Sequence, residues 1–172
     1  MGLWPLHVEG LNSVTQSCPT PIPNTGPSGV AVDVNGDLFV LYSGTGASAI
    51  VEYAGGLKGC NATILGVPIS TQGLLAIDAS GDLIYSDSVA GVVDVIDPPY
   101  TAVSRTIGSG FSPFGPWGVS VNKKNKLAFV ADLVNATVTV VNYQTGANVT
   151  VLGAEHGISS AWGVVDGPNA VY

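Results

Sequence analysis

The chain has 172 residues, of which 46% are hydrophobic and 10% are charged, against about 25% charged in an average soluble domain. This composition excludes an intrinsically disordered chain, which combines low hydrophobicity with high charge. Twelve acidic and five basic residues give a net charge of −7, so the chain lacks the basic surface that binds nucleic acid or anionic lipid. The 23 glycines and 11 prolines favour a turn-rich fold over a helical bundle, and no apolar run reaches the roughly 20 residues of a membrane span.

A unit of about 45 residues repeats along the chain. Its apolar opening strands begin at Gly29, Gly73, Gly118 and Gly163, with spacings of 44, 45 and 45 residues. Asn-Gly and Ser-Gly turns follow the first two openings, and such turns between apolar runs predict β-hairpins. Repeats of this length are typical of solenoids and propellers.

Each of the first three units contains four predicted strands. In chain order they are 29–33, 38–42, 49–54 and 60–66; then 73–78, 83–86, 92–97 and 102–108; then 118–122, 127–130, 137–143 and 148–153. The segments 30–32 and 74–77 are apolar on both faces, which predicts inner strands buried on both sides. The segment 137–141 alternates polar and apolar residues, which predicts a half-exposed outer strand. Four antiparallel strands in such a unit describe one blade of a β-propeller.

Two stretches of sequence carry a family resemblance. GVAVDVNGDLFV at 29–40 resembles the NHL-type propeller repeat, and KLAFVADLVNATVTVVNYQTGANVTVLG at 126–153 is similar to the related YVTN-type repeat of secreted propellers. The resemblance covers about 28–153 and implies an all-β fold of four-stranded antiparallel blades. NHL repeats often carry a basic residue before the third strand, whereas Ala90-Gly91 and Asn135-Ala136 stand there in this chain.

The chain ends complete a fourth unit in this plan. We expect one propeller-like domain over 1–172, with repeats at 28–66, 72–108 and 117–153 and a fourth formed by 162–172 together with 3–17, which includes strands at 3–8 and 12–17. Several closures are open: a four-bladed ring, two chains in one eight-bladed ring, pairing of open edges into a fibre, or part of a longer propeller. Unpaired strand edges invite pairing between chains, and five basic residues leave few charges to block it.

Covalent features favour an extracellular protein. Cys18 and Cys60 either form a disulfide or are two buried thiols, and their turn-rich surroundings favour the disulfide. Three Asn-x-Thr sequons, at Asn61, Asn135 and Asn148, are possible N-glycosylation sites in a secreted chain.

Acidic residues recur once per repeat. Asp33, Asp78 and Asp166 end inner strands, and Asn122 stands in the matching place. Their repetition favours capping of turns by side-chain oxygens. The alternative is an axial metal site, as in lactonase-type propellers. His7 and His156 belong to no metal motif, so we predict no metal, no cofactor and no catalytic residue.

Aromatic residues form the candidate binding set. Phe111, Phe114 and Trp117 lie in the loop before the third inner strand, and Trp162 precedes the fourth repeat glycine. Such loops gather on one face of a propeller near its axis. We expect either a weak carbohydrate or peptide site there or packing between blades.

The sequence therefore predicts a non-enzymatic extracellular or cell-surface scaffold or binding module. Self-association into an oligomer or filament is expected, without nucleic-acid binding or membrane insertion. The alternatives are a lactonase- or lyase-like propeller enzyme with an axial metal, and part of an NHL-type interaction propeller.

Overall fold

The computed structural model describes residues 18–19, 21–45, 47–56, 60–70 and 72–165. This part of the chain forms twelve β-strands and one short 3-10 helix, Ala154–His156. The strands are β1 Thr25–Val32, β2 Leu38–Gly44, β3 Ala49–Tyr53, β4 Ala62–Ile64, β5 Leu75–Ile77, β6 Leu83–Asp87, β7 Val92–Ile96, β8 Arg105–Ile107, β9 Pro116–Val121, β10 Leu127–Asp132, β11 Thr137–Asn142 and β12 Asn148–Leu152. No helix of the described residues is long and apolar enough to cross a membrane.

The strands form three antiparallel sheets of four consecutive strands each. The first sheet has the order β1-β2-β3-β4, the second β5-β6-β7-β8 and the third β9-β10-β11-β12. Each sheet matches one predicted repeat, so the all-β fold with four-stranded blades is confirmed for three units. Consecutive strands pair because the short turns between them favour antiparallel hairpins.

The sheets pack face to face. One apolar core lies between the first and second sheets, where Phe39 and Leu41 pack with Leu83 and Tyr85. A second core lies between the second and third sheets and includes Ile84. All five residues of β6 are buried because this strand lies inside the middle sheet and is covered on both faces. Burial therefore peaks in the second strand of a blade.

Several observed strands are shorter than predicted. β4 and β8 have three residues each, and β5 begins at Leu75, after Gly73 and Leu74. Gly73 has a φ of +153°, which interrupts a regular strand at that point. The predicted strand from 163 is absent over Gly163–Val165. The segments 3–8 and 12–17, predicted as the third and fourth strands of this unit, lie outside the described residues, as does Asp166.

The inner strand of the first sheet corrects one expectation. Ala31 is buried, but Val30 and Val32 are 60% and 56% exposed, so β1 is not buried on both faces. The matching positions in the other sheets are Leu75, 7% exposed, and Val119, 6% exposed. Those two are covered by the preceding sheet, and among the described residues no sheet precedes the first one.

One cation joins the second and third sheets. The guanidinium of Arg105 on β8 lies 4.4 Å from the ring centroid of Tyr143 and donates a 2.6 Å hydrogen bond to the Tyr143 carbonyl oxygen. A cation over an aromatic face is favourable, and the planar guanidinium can stack and donate together. The contact fixes the outer part of one blade against the next.

Buried tyrosines predict loss of stability at high pH. Burial raises the pKa of Tyr53 and of Tyr85 to about 12 each. The fold favours the neutral phenols, so their contribution is fully present below the ordinary pKa of about 10 and is lost as the pH rises through about 12. We expect tyrosinate absorbance and circular dichroism to change together between these pH values. Ionisation of all tyrosines near pH 10 in a still-folded protein would contradict this.

Candidate functional site

The inner strands β1, β5 and β9 lie next to one another, and a cavity opens at each end of this group. The cavity where the strands end has a volume of about 500 Å³. It is lined by Val32, Asp33, Val34, Ile77, Asp78, Ala79, Val121, Asn122, Lys123 and Asn125. The cavity where the strands begin has a volume of about 220 Å³. It is lined by Ser28, Ser43, Gln72, Gly73, Leu74 and Trp117.

The repeated acids at the larger cavity cap turns, as predicted. Oδ1 of Asp33 accepts hydrogen bonds from the backbone N–H groups of Asn35 and Asp37, at 2.9 and 2.8 Å. Oδ1 of Asp78 accepts in the same way from Ser80 and Asp82, at 2.7 and 3.0 Å. These bonds hold the hairpin turns closed.

Asn122 and Asn125 complete this end of the structure. Oδ1 of Asn122 accepts from the N–H groups of Lys126 and Leu127, at 2.9 and 3.2 Å, so the amide replaces the aspartate of the other repeats. Nδ2 of Asn125 donates to Oδ2 of Asp78 at 2.9 Å, which ties the turns of two sheets together. The carboxylate oxygens of Asp78 are thus committed to structural hydrogen bonds.

Acidic side chains lie close together near this end of the structure. Burial, and then the carboxylates of Asp37 and Asp33, raise the pKa of Glu52. Among the described residues no group of three or more His, Cys, Asp or Glu side chains is arranged to hold a metal ion. His156 is exposed and lies 2.9 Å from the Glu155 carboxylate beside it in the chain.

The predicted aromatic set divides between packing and exposure. Trp117 and Trp162 meet edge to face, with ring centroids 5.9 Å apart. Phe111 is half-buried and packs against the core between the second and third sheets. Phe114 is 52% exposed and does not line the smaller cavity. The structure therefore brings two of the four predicted residues together as a pair, of which Trp117 lines that cavity.

Glycine lets neighbouring units approach closely near these tryptophans. A Cβ on Gly118 would lie 2.6 Å from the Cα of Gly163. On Gly29 it would lie 3.1 Å from the backbone nitrogen of Leu75. The segment around Gly163 thus lies against the third sheet much as β5 lies against the first, at the position where the repeat predicts the next inner strand.

Sequence reasoning did not identify Ser28, Ser43 and Gln72 as cavity residues. No motif marks them. The available signal was positional, because Ser28 and Gln72 directly precede repeat glycines, as Trp117 and Trp162 do.

The covalent predictions have different outcomes. Cys18 and Cys60 form a disulfide, with their Cα atoms 5.4 Å apart. Asn61, Asn135 and Asn148 are exposed. Nδ2 of Asn148 donates to the Ser109 carbonyl oxygen at 2.9 Å, and Nδ2 of Asn135 donates to Asp132 at 2.8 Å. Glycosylation at any of the three stays a prediction.

No family model matches the chain, and no curated protein matches its sequence. Solved structures do match. The chain is similar to a protein in the crystal structure of a nidogen/laminin complex, with 19% identity and a TM-score of 0.66 over 82% of this chain and 52% of that one. It is also similar to streptogramin B lyase, with 14% identity and a TM-score of 0.62 over 79% and 43%. A third similar structure is a catalytically inactive virginiamycin B lyase from Staphylococcus aureus with quinupristin. It has 12% identity and a TM-score of 0.59 over 78% of this chain and 43% of that one.

These likenesses concern the fold. The matched structures are β-propeller proteins, and at such identities the similarity extends to architecture alone. The chain spans about half of their length or less. With its three stacked four-stranded sheets, the chain has a β-propeller fold.

Proposed function

We propose that this chain is a non-enzymatic, extracellular or cell-surface scaffold of the NHL/YVTN propeller type that associates with a second copy of itself. The observation that carries the proposal is the partly uncovered outer face of the first sheet. We define this face by Val30 and Val32 on β1, Val40 on β2, Val51 on β3 and Ile64 on β4, which the strand register places on one side.

The centre of the outer face is covered and its margins are not. Val51 is fully buried and Val40 is 7% exposed, within a cluster that includes Ile22 and Cys18. Val30, Val32 and Ile64 are each more than half exposed. Burying apolar surface yields about 25 cal/mol per Å², so these margins favour a further apolar partner.

The partner is inferred from the other repeats. At the positions of Val30 in the second and third sheets, Leu75 and Val119 are buried by the preceding sheet of the same repeat type. A second copy carries sheets of this type, so it can supply the missing cover. The propellers that the chain matches are about twice as long as the part it spans, which allows further sheets at this position.

Hydrogen bonds and covalent features support the structural role and the extracellular location. The recurring carboxylates of Asp33 and Asp78 are engaged in turn hydrogen bonds, which supports a structural role for them. The Cys18–Cys60 disulfide is typical of a protein exposed to an oxidising compartment, which supports an extracellular location. The exposed sequons fit the same location.

The test is the native mass by size exclusion with light scattering. We expect the wild-type chain of 17.4 kDa to have at least twice that mass at micromolar concentration. The double variant Val30→Asp, Val32→Asp introduces two charges on the outer face, and burying them is costly. We expect its dissociation constant to rise on the order of 100-fold. The control is Val34→Asp, which places a charge at an 82% exposed position just beyond β1.

Circular dichroism shows whether the variants are folded, since these positions are already exposed. Loss of association in the double variant with retention in the control supports the proposal, for a dimer or a longer particle alike. A monomeric wild-type protein at every concentration would overturn self-association. Equal masses of wild type and folded double variant would overturn the assignment to this face.

A further inference from the structure

The smaller cavity has the features of a ligand site. Its lining comes from β1, β2, β9 and the residues just before β5, so the packed sheets fix its shape. The polar lining residues are Ser28, Ser43 and Gln72, and among the described residues no charged side chain lines the cavity. Small-molecule sites combine apolar surface with a few convergent polar groups, and this lining provides both.

One tryptophan lines this cavity, and a second tryptophan packs against it. Trp117 is half-buried, lines the cavity and meets Trp162 at 76° between ring planes. Trp162 is 60% exposed, so a large part of the indole faces solvent. The negative face of an aromatic ring attracts polarised C–H groups. Indole beside neutral hydroxyl and amide groups suits a ligand with both an apolar face and hydroxyls.

The volume of the cavity and the net charge of the chain restrict the class of ligand. A volume of about 220 Å³ is below the roughly 300–1,000 Å³ of sites for drug-sized molecules, so the cavity takes a single ring. The net charge of −7 disfavours anionic ligands. The hydroxyl of Ser28 makes a long 3.3 Å hydrogen bond to the Leu41 carbonyl oxygen, and its lone pairs can accept from a ligand hydroxyl.

We propose that this cavity binds one neutral pyranose ring, either a free monosaccharide or the terminal residue of a glycan. The ring lies against Trp117, which Trp162 supports from the side, and its hydroxyls exchange hydrogen bonds with Ser28, Ser43 and Gln72. The site is built within one chain and does not depend on self-association.

The experiment is saturation-transfer NMR of the wild-type chain with glucose, galactose, mannose and N-acetylglucosamine in turn. We expect transfer to the ring protons of at least one of these sugars. Trp117→Ala should weaken binding about tenfold, and Trp117→Phe should retain most of it. The matched control is Val134→Ala, an exposed apolar residue in the β10–β11 turn, which should bind as the wild type does. The double variant Val30→Asp, Val32→Asp should also bind normally, which separates this inference from the proposed assembly.

Three outcomes would overturn the inference. One is no transfer to any of the four sugars. Another is equal affinity of wild type and Trp117→Ala, with thermal unfolding showing that the variant is folded. The third is transfer to an uncharged extended peptide but not to a sugar, which would make the cavity part of a peptide site.

Discussion

Replacing Gly73 with alanine is expected to lower the free energy of unfolding by about 3 kcal/mol or more. A Cβ at this position would overlap the carbonyl oxygen of Ser86 and lie 2.8 Å from the Tyr85 ring. Both neighbours belong to β6, which is buried along its whole length and cannot move without disturbing two cores. The φ of +153° adds backbone strain for any side chain. Urea unfolding followed by circular dichroism measures the change.

Gly66→Ala is the matched control for this substitution. Nothing lies within 4 Å of a Cβ there, and the backbone is not in the positive-φ region. We expect a change within about 0.5 kcal/mol, or a small stabilisation through the unfolded chain. If Gly73→Ala proved as stable as Gly66→Ala, the close approach of Gly73 to β6 within the second sheet would be contradicted.

Removing the disulfide is expected to cost about 4 kcal/mol. The Cys18–Cys60 bond spans 42 residues. Closing a loop of this size lowers the entropy of the unfolded chain, which raises the free energy of the unfolded state by about 4 kcal/mol. The bond also fixes the segment around Ile22 over Val51 and Tyr53. The variant Cys18→Ser, Cys60→Ser should therefore unfold at lower urea concentration than the wild type.

Reductant provides the control for the disulfide. Dithiothreitol should lower the wild-type stability toward that of the double serine variant and leave the variant unchanged. Equal urea midpoints of oxidised and reduced wild type would contradict a structural contribution of this bond.

The blades were predictable because their signals are local. Repeat glycines, Asn-Gly and Ser-Gly turns and apolar alternation act over a few residues, and each observed sheet follows one repeat. The turn role of Asp33 and Asp78 was predictable for the same reason, since an aspartate at a strand end bonds to amides two and four residues later. The repetition of these acids indicated this structural role.

Contacts between blades were not predictable from the same signals. The exposure of Val30 depends on whether another sheet covers the outer face of the first sheet. The sequence of β1 would be equally apolar with or without that cover. The bond from Asn125 to Asp78 joins residues 47 positions apart, and the stacking of Arg105 on Tyr143 joins separate blades. Sequence placed Trp117 and Trp162 near one axis, but their pairing and the polar cavity lining follow from how the three sheets pack.

The most direct test of the account is the solvent exposure of individual valine methyl groups, measured by NMR with a dissolved paramagnetic probe. Val34 and Val165 serve as exposed references, at 82% and 86%, and Val119 serves as a buried one, at 6%. We predict that at high protein concentration the Val30 and Val32 signals are protected like that of Val119, and that dilution exposes them to the level of Val34. Broadening of Val30 and Val32 equal to that of Val34 at every concentration would contradict coverage of this face by a second copy.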